Sequence, residues 1–554
     1  MACEDDKTEM PRLFRPSFIA SSCFAEDNTI TLAWRTSGEA TSYTVELSQD
    51  ATFQSEKLET QTVEHGKCVF TNLRYETKFY ARVRANNESL AITSNWTEMG
   101  SSISTLSRTI PKILYAVEGS RISETSVEIK WVVSEKNPVD GLAIWEEGTT
   151  EERQISLENA SAGQYTITGL TPRITYYVAL TNSAAPEGAE KYNQQRFTTA
   201  GMPADAVVVE DGVDLMDKIK AGMTDASKQA LVFQLKNGVD YYLTAGGEVA
   251  AKTGDIKLTK SIALLANPGE RPTLYIREGC FNVKPESGNM PDIEYFVVDN
   301  VNIKETWTDS KPSKGSKTRL LNIGKHDAGT DFTIDRFEIT NSDIVLPSAV
   351  LMMSDASEGV TTINHIRIDN CLVSGINTSA VTKQFGFIHA INKGSNVWND
   401  VSVTNSTFYE FYISPGVFGA PTANVPIAAG NKVVISNCTF YNWGSNKDGK
   451  NTYRAVGNFS KLTAPLNLSV NNCVFGSSES KVLDAGGINL DSKGNYCTSD
   501  FEKMSDAGLT LISLDTDDAS LFRNIEENDF TVIDAESVIY KSEYGDPRWI
   551  TVLD

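Results

Sequence analysis

Short runs of alternating apolar and polar residues, separated by turn signals, dominate the first 200 residues of the chain. The clearest runs are at residues 29–34, 43–47, 79–84, 126–131, 165–167 and 176–180. Alternation with a period of two predicts half-buried β-strands. The same pattern occurs twice, which predicts two β-sandwiches of about 90–100 residues each.

A turn motif shows which kind of β-sandwich the second copy resembles. Residues 170–176 read Leu-Thr-Pro-Arg-Ile-Thr-Tyr and match the Leu-x-Pro-x-x-x-Tyr turn of fibronectin type III modules, which both copies resemble. Tyr176 takes the tyrosine-corner position, whereas the first copy has Tyr75 in place of Pro and Phe79 in place of Tyr. The resemblance implies modules at residues 15–107 and 108–200, with Trp34 and Trp131 in their cores.

A different pattern begins near residue 206. Residues 213–221 have helical apolar spacing and predict one short amphipathic helix. Six later segments share an apolar-x-apolar-x-Asn phrase, ending at Asn300, Asn341, Asn370, Asn405, Asn437 and Asn472. The asparagines are 41, 29, 35, 32 and 35 residues apart. Such a period without helices predicts a β-solenoid, here a right-handed parallel β-helix over residues 206–554 whose N-terminal end the helix caps.

The repeated asparagine has a physical reason. Asn tolerates the left-handed backbone of a sharp turn, and its amide can bond the Asn one coil away. A small residue follows several of these asparagines and is predicted to point into the narrow interior. Cys371, Cys438 and Cys473 are therefore predicted to be reduced core residues.

The repeat region resembles the pectate-lyase-like superfamily. With two fibronectin-like modules in front and Gly-Asp-Pro-Arg-Trp at residues 545–549, nearly the whole chain resembles uncharacterised outer-membrane lipoproteins of bacterial polysaccharide-utilisation loci. This resemblance implies an all-β fold and a role in polysaccharide utilisation, and it leaves the chemistry open.

The first residues bear on localisation. Met1-Ala2 precedes Cys3 and an acidic run, which resembles a mature lipoprotein that begins at Cys3. This interpretation makes residues 1–14 a tether and Cys3 the lipidation site. It predicts a surface-exposed protein of the outer membrane whose only contact with the membrane is the lipid. An acidic, disordered N-terminus without a lipid is the alternative.

Charge narrows the ligand class. The net charge of −22 argues against nucleic-acid binding, which needs clustered Lys and Arg. Residues 304–326 have the opposite sign of charge, because they contain six basic residues and two acidic ones. A local basic patch favours an acidic, pectin-type glycan.

Signatures of several enzyme classes are missing. The sequence has no HExxH metalloprotease motif, and it has neither the Gly-His-Gly nor the Arg-Ile-Lys tripeptide of polygalacturonase-like hydrolases. Polysaccharide lyases lack a common short signature, so that class stays open.

The strand that follows the long loop of each coil should carry the ligand, because proteins of this superfamily usually bind sugars on that face. Cations for carboxylates and aromatic rings for sugar faces mark the candidate residues. The predicted ligand-binding residues are Arg319, Lys325, Lys383, His389, Tyr412, Trp443, Tyr453 and Arg454.

Three functions follow from these patterns. The leading one is a non-catalytic, surface-anchored protein that captures polysaccharide without a cofactor. The second is a lyase for uronic-acid polymers, with Lys383 or Arg454 as the base and Ca²⁺ bridging the substrate carboxylate; its metal site is unknown. The third is an adhesin that binds a protein partner, such as an outer-membrane transporter, through the fibronectin-like modules.

Overall fold

The fold is described from a computed structural model. The structure describes residues 12–553 except 56, 213, 244–253, 278, 306–318, 347–349, 356–357, 376–385, 391–394, 412–415, 420–431, 444–452, 460–465, 479, 485, 487 and 502–507. These residues divide into two compact units. The first holds the chain up to Leu114 with Trp131–Gly163 and Tyr177–Gln195, and the second holds Tyr115–Lys130, Gln164–Tyr176 and the chain from Arg196 onward.

The first fibronectin-like sandwich lies in the first unit. Its strands are Ser17–Phe18, Phe24–Glu26, Thr29–Arg35, Ser42–Ser48, Leu58–Val63, Lys67–Phe70, Lys78–Asn87, Ile92–Thr93, Thr97–Glu98 and Ile103–Ser104. They form a four-stranded and a six-stranded antiparallel sheet. Trp34 is buried in the core, with its ring centroid 5.5 Å from that of Tyr43. The predicted core position of Trp34 is confirmed.

The second fibronectin-like module has strands Ser126–Lys130, Gly141–Glu146, Arg153–Ser156, Gln164–Thr168, Thr175–Thr181 and Lys191–Thr198. The first and fourth pair as a two-stranded sheet, and the others form a four-stranded sheet. The Thr171 N–H donates to the Tyr176 Oη at 3.0 Å, which is the bond expected of a tyrosine corner. Trp131 is buried, as predicted. The 3₁₀ turns of the two modules are Ala20–Ser22, Gly119–Arg121 and Ala160–Ala162.

Three parallel sheets build the rest of the second unit, one strand per coil, as a right-handed parallel β-helix. Sheet A contains Val207–Val209, Ala230–Leu235, Lys260–Leu265, Asp292–Asp299, Phe332–Thr340, Val360–Asp369, Ser395–Thr404, Lys432–Ser436, Leu466–Asn471 and Ile488–Lys493. Sheet B contains Asp240–Tyr242, Thr273–Ile276, Asn302–Glu305, Asp343–Val345, Leu372–Ser374, Thr407–Tyr409, Thr439–Tyr441, Val474–Phe475, Tyr496–Cys497 and Ile512–Ser513. Sheet C contains Gly254–Leu258, Gly279–Val283, Arg319–Ile323, Val350–Ser354, Ile388–Ala390, Phe418–Gly419, Arg454–Asn458 and Lys481–Asp484.

The repeated asparagines make the turn between sheets A and B. All six have positive φ angles, between 49° and 58°, so the left-handed conformation predicted from the sequence is confirmed. Their N–H groups donate to carbonyls of the next coil, as from Asn370 to the Thr404 O at 3.1 Å. Their amides join neighbouring coils, as where Asn370 Nδ2 donates to Asn341 Oδ1 at 2.8 Å. We call this row the asparagine ladder.

Large side chains fill the interior of the coils. Phe408, Phe440 and Phe475 stack along sheet B with centroids 5.3 and 5.1 Å apart. The residue after a ladder asparagine points inward, and Cys371, Cys438 and Cys473 are fully buried free thiols, as predicted. Because interiors are close-packed, these small side chains fit where the turn narrows the core.

Helix α1 (Asp214–Thr224) begins the β-helix and confirms the predicted cap. Its buried face carries Leu215, Met216 and Ile219, which join the core of the coils. A Cβ on Gly222 would lie 2.5 Å from Leu231 Cδ2, so the glycine permits close approach of the helix to sheet A. The cap shields apolar side chains that the first coil would otherwise expose.

The C-terminal segment folds back over sheet B. It contains α2 (Asp518–Leu521), α3 (Val538–Ser542), the hairpin of Phe522–Asn524 and Asp529–Val532, and the 3₁₀ turns Ile525–Glu527 and Pro547–Trp549. Its Phe530 packs on the outward rings of Tyr409 and Tyr441. The Gly-Asp-Pro-Arg-Trp motif fixes this segment, because Thr407 Oγ1 donates to Asp546 and accepts from Trp549 Nε1, both at 2.7 Å.

Candidate functional site

The predicted ligand-binding strands are strands of sheet C, as the sequence register required. The row of this sheet that faces away from the core runs through Asn282, Asn322, Met353, His389, Gly419, Asn458 and Asp484. Successive members lie about 4.8 Å apart along the helix axis. An elongated ligand on this face would meet the row only at members that are exposed to solvent.

A polar cluster occupies the N-terminal part of this row, which we call the arginine-amide cluster: Arg319, Asn322, Asn282 and Lys325. Arg319 Nη1 donates to Asn322 Oδ1, and Asn322 Nδ2 donates to Asn282 Oδ1 at 2.6 Å. Arg319, Asn322 and Asn282 are half-buried, whereas Lys325 just beyond the strand is exposed. The cluster presents one guanidinium held by an amide, one exposed ammonium and two amides.

The middle of the row is closed. His389 is buried, and its Nδ1 accepts a hydrogen bond from the Gly386 N–H at 3.0 Å. Burial, and secondarily the charge of Arg319, lowers the pKa of His389 to about 3. A Cβ on Gly419 would lie 2.1 Å from His389 Nδ1, so this glycine makes room for the ring. The imidazole is neutral at physiological pH and serves packing.

A second cluster lies at the C-terminal end of the row. The Arg454 Nε and Nη2 contact Asp484 Oδ2, and Lys481 Nζ lies 3.0 Å from Asp484 Oδ1. Burial acts to raise the pKa of Asp484, but the bonds and charges of Lys481 and Arg454 outweigh it and leave the pKa lowered. The half-buried Tyr453 precedes this strand, and its N–H donates to Ser480 Oγ at 3.3 Å.

The structure thus separates the predicted residues into two groups. From Asn322 to Asn458 there are four ladder steps, or about 19 Å. Trp443 belongs to neither group, because its fully buried ring packs on Phe475 and Phe501 and its Nε1 donates to the Lys481 O at 2.8 Å. No face of that ring is open to a sugar. Lys383, Tyr412, Cys3 and most of the basic loop lie outside the described residues.

Two observations on the described residues bear on lyase chemistry. Those residues contain no group of three His, Cys, Asp or Glu side chains that could hold a metal ion. An arginine stays protonated in proteins, and Arg454 Nη2 contacts the carboxylate of Asp484. Arg454 is therefore placed to attract an anion and to hold Asp484, and its contacts do not activate it as a base.

Sequence reasoning missed a second site, a cavity of 340 Å³ beside the asparagine ladder. All its residues belong to the second unit. We call it the ladder cavity. Its guanidinium groups come from Arg173, Arg196, Arg271 and Arg548, and its ladder amides come from Asn300, Asn341 and Asn370.

Aspartates hold these arginines in place. Arg196 Nη2 donates to Asp369 Oδ2 at 2.8 Å, and Arg271 Nη1 donates to Asp343 Oδ1 at 2.7 Å. Asp369 lies directly before Asn370 in the chain. Burial acts to raise the pKa of Asp369, yet its arginine and hydroxyl partners lower it below the usual value.

A sequence signal for this site existed. The residue before the ladder asparagine is Asp299, then Thr340, then Asp369, then Thr404. Each threonine hydroxyl donates to the aspartate one coil earlier at 2.7 Å. Carboxylates at the position before the ladder asparagine, among threonines at the same position in other coils, indicate cationic neighbours. The sequence did not reveal which arginines these neighbours are.

One family model matches the C-terminal part of the chain. Residues 433–549 match a family model described as a domain of unknown function (DUF5123), which covers the last coils and the C-terminal segment. No curated protein matches the chain. No helix in the described part of the chain is long and apolar enough to cross a membrane.

Two chicken structures are similar to part of the chain. The crystal structure of the CNTN1 FN1-FN3 domains is 15% identical and covers 34% of this chain and 69% of its own, with a TM-score of 0.16. The two fibronectin type-III domain segment of tenascin is 16% identical and covers 34% of this chain and 100% of its own, with a TM-score of 0.19. The modular fold assignment stands on the strand topology described above.

Proposed function

We propose that this protein is a surface-anchored, non-catalytic lipoprotein that captures an acidic, pectin-type polysaccharide for a polysaccharide-utilisation system. The observation that carries the proposal is the arginine-amide cluster on the outward row of sheet C. Lipidation at Cys3 and docking of the fibronectin-like modules on an outer-membrane transporter belong to the same proposal, supported by the sequence resemblance.

The cluster has the chemistry of an acidic-sugar subsite. A guanidinium binds a carboxylate through paired N–H donors. Arg319 is held by Asn322, so little conformational entropy is lost when it binds. The amides of Asn322 and Asn282 suit sugar hydroxyls, and Lys325 adds a second positive charge at the open end of the strand.

The geometry along the row suits a polymer better than a single sugar. The cations of the two clusters, Arg319 with Lys325 and Arg454 with Lys481, lie beside opposite ends of the outward row, on the strands that carry Asn322, Asn458 and Asp484 or just after them. A chain that runs parallel to the helix axis and passes over the closed middle of the row would reach both ends across about 19 Å. Binding at two ends of one ligand raises affinity through effective concentration.

Native affinity electrophoresis tests this proposal. Migration in gels that contain polygalacturonate should be retarded, and neutral polysaccharides should not retard it. Arg319→Gln removes a charged hydrogen bond worth about 1.5–3 kcal/mol, so the dissociation constant should rise about tenfold or more. Arg523→Gln is the matched control, because this arginine is 53% exposed and belongs to the C-terminal segment.

Two results would overturn the proposal. One is equal migration of the folded wild type with and without every acidic polysaccharide of the panel. The other is equal retardation of Arg319→Gln and the wild type, because binding would then not depend on this cluster. Ultraviolet absorbance of the same mixtures should stay flat, and a rise from unsaturated product would show lyase activity instead.

A further inference from the structure

We infer that the ladder cavity is a separate binding site for one small carboxylate ligand of the size of a single sugar acid. This site lies beside the turn between sheets A and B, whereas the polysaccharide face proposed above lies on sheet C. The inference does not depend on that face.

The volume sets the ligand size. Ligand pockets usually enclose about 300–1,000 Å³, and 340 Å³ lies near the lower end of that range. One sugar ring with its substituents suits such a space, and a polymer running through it does not. The arginines are accessible, since their side chains are 17–32% exposed.

Two arginines are oriented with donors to spare. The hydrogen bonds of Arg271 to Asn302 Oδ1, the Asn341 O and Asp343 Oδ1 all use Nη1. Arg548 uses Nη2 toward Asn370 Oδ1 at 3.0 Å, and its Nε lies 2.8 Å from Asp546 Oδ2. A guanidinium has five N–H donors in a fixed plane. Both groups therefore retain donors while their existing partners hold them in position.

The remaining lining distinguishes a sugar acid from a simple anion. Asp299 Oδ1 accepts from Thr340 and Asn341, while its Oδ2 lies 3.9 Å from Arg173 Nη2. That second oxygen can accept a hydrogen bond from a ligand hydroxyl. Asn300 and the hydroxyl of Thr198 add further polar contacts around the cavity. Hydroxyls and a carboxylate on one ring would match both kinds of partner.

The charge of the network favours an anion. Five arginines, the four of the cavity and Arg367, face four aspartates, namely Asp299, Asp343, Asp369 and Asp546. One net positive charge remains, although the whole chain carries −22. A carboxylate of charge −1 would neutralise the network, whereas a cation would add to its excess.

Isothermal titration of the full chain with D-galacturonate and D-galactose tests the inference. These sugars differ only in having a carboxylate or a hydroxymethyl group at C6. Galacturonate should bind with one-to-one stoichiometry and at least tenfold more tightly than galactose. Arg271→Gln should weaken galacturonate binding about tenfold, because it removes the charge and keeps an amide donor toward Asn341 and Asp343.

A second variant tests the space itself. Val117→Trp fills the cavity from a half-buried lining position that is outside the ionic network, and it should abolish galacturonate binding. Arg523→Gln is the control and should bind like the wild type. Thermal melts identify any variant that fails to fold, in which case the other variant decides.

The outcomes separate this site from the polysaccharide face. Val117→Trp should abolish galacturonate binding and leave retardation by polygalacturonate unchanged, because Val117 lines only the ladder cavity. Absence of galacturonate binding to folded wild type overturns the inference. Binding that survives both Arg271→Gln and Val117→Trp overturns it as well, because the ligand would then lie elsewhere.

Discussion

Asp369 is the most highly connected carboxylate of the asparagine ladder, and its replacement by Asn gives a sharp prediction. Its Oδ2 accepts from Arg196 at 2.8 Å and from Arg367 at 3.0 Å. Its Oδ1 accepts from Thr404 Oγ1 at 2.7 Å and Asn405 Nδ2 at 2.8 Å. Asp369→Asn keeps the shape and one acceptor oxygen, but it removes the charge opposite two guanidinium groups.

The magnitude follows from burial. The Asp369 side chain is 2% exposed, whereas those of Arg196 and Arg367 are 17% and 39% exposed. Breaking a fully buried pair costs about 3–5 kcal/mol, and partial exposure of both arginines lowers this cost through solvent screening. We expect a loss of about 2 kcal/mol, which for a unit of this size lowers Tm by about 4 °C.

The pH dependence has a definite sign. The folded-state pKa of Asp369 lies below its usual value, so the folded protein binds this proton more weakly than the unfolded chain. The stabilisation is fully present above the unfolded pKa of about 3.9 and is lost as pH falls through the lower folded value. The Tm difference between wild type and Asp369→Asn should be constant from pH 5 to 8 and shrink below about pH 4.

Thermal melts of both proteins across that pH range measure the effect. Asp400→Asn is the matched control, because Asp400 lies on the same sheet but is 68% exposed, 3.5 Å from His365. Its Tm should change by less than about 1 °C at neutral pH. Equal Tm values for wild type and Asp369→Asn at pH 7 would show that the ionised Asp369 does not stabilise the fold. A Tm difference that does not shrink in acid would contradict the reasoning as well.

Three further predictions concern buried groups. Burial raises the pKa of Asp518 to about 6, so Asp518→Asn should raise stability at pH 7.5 by up to about 3 kcal/mol and leave it unchanged at pH 4, as thermal melts will measure. Burial raises the pKa of Cys371 to about 12, so a thiol reagent should modify Cys371 only after unfolding, whereas the half-buried Cys23 reacts in the native protein. Trp549→Phe removes the bond to Thr407, which should cost about 1 kcal/mol in a melt.

Each of these predictions has an opposite outcome. Destabilisation by Asp518→Asn at pH 7.5 would show that the ionised carboxylate stabilises the fold, for example by accepting the hydrogen bond that the Ser477 N–H donates to Asp518 Oδ2 at 2.8 Å. Native labelling of Cys371, located by peptide mapping, would mean that the coils open locally. An unchanged Tm for Trp549→Phe would mean that the C-terminal segment is held without this bond.

The coils could be predicted from the sequence because the residues that determine each turn lie next to each other in the chain. Each asparagine must satisfy a left-handed turn, and this requirement recurs in every coil regardless of loop length. The prediction therefore held at all six positions, including the inward cysteines. The capping helix followed from its apolar spacing alone.

The site was harder to predict, because contacts between distant segments determine it. Trp443 was predicted to bind ligand, yet it follows the strand Thr439–Tyr441 and its ring turns into the core between rings from later coils. The ladder cavity depends on Arg173 and Arg196, which are more than 100 residues before their partners Asp299 and Asp369. No local pattern encodes such pairs.

The central claim is that sheet C binds an acidic polymer by contacts to the carboxylates of that polymer. Isothermal titration with de-esterified and with fully methyl-esterified polygalacturonate tests this most directly, because esterification removes the charge and keeps the sugar backbone. We predict binding of the de-esterified polymer that weakens at least tenfold on full esterification and about tenfold in Arg319→Gln. Equal affinity for both polymers, or no affinity for either, would contradict the account.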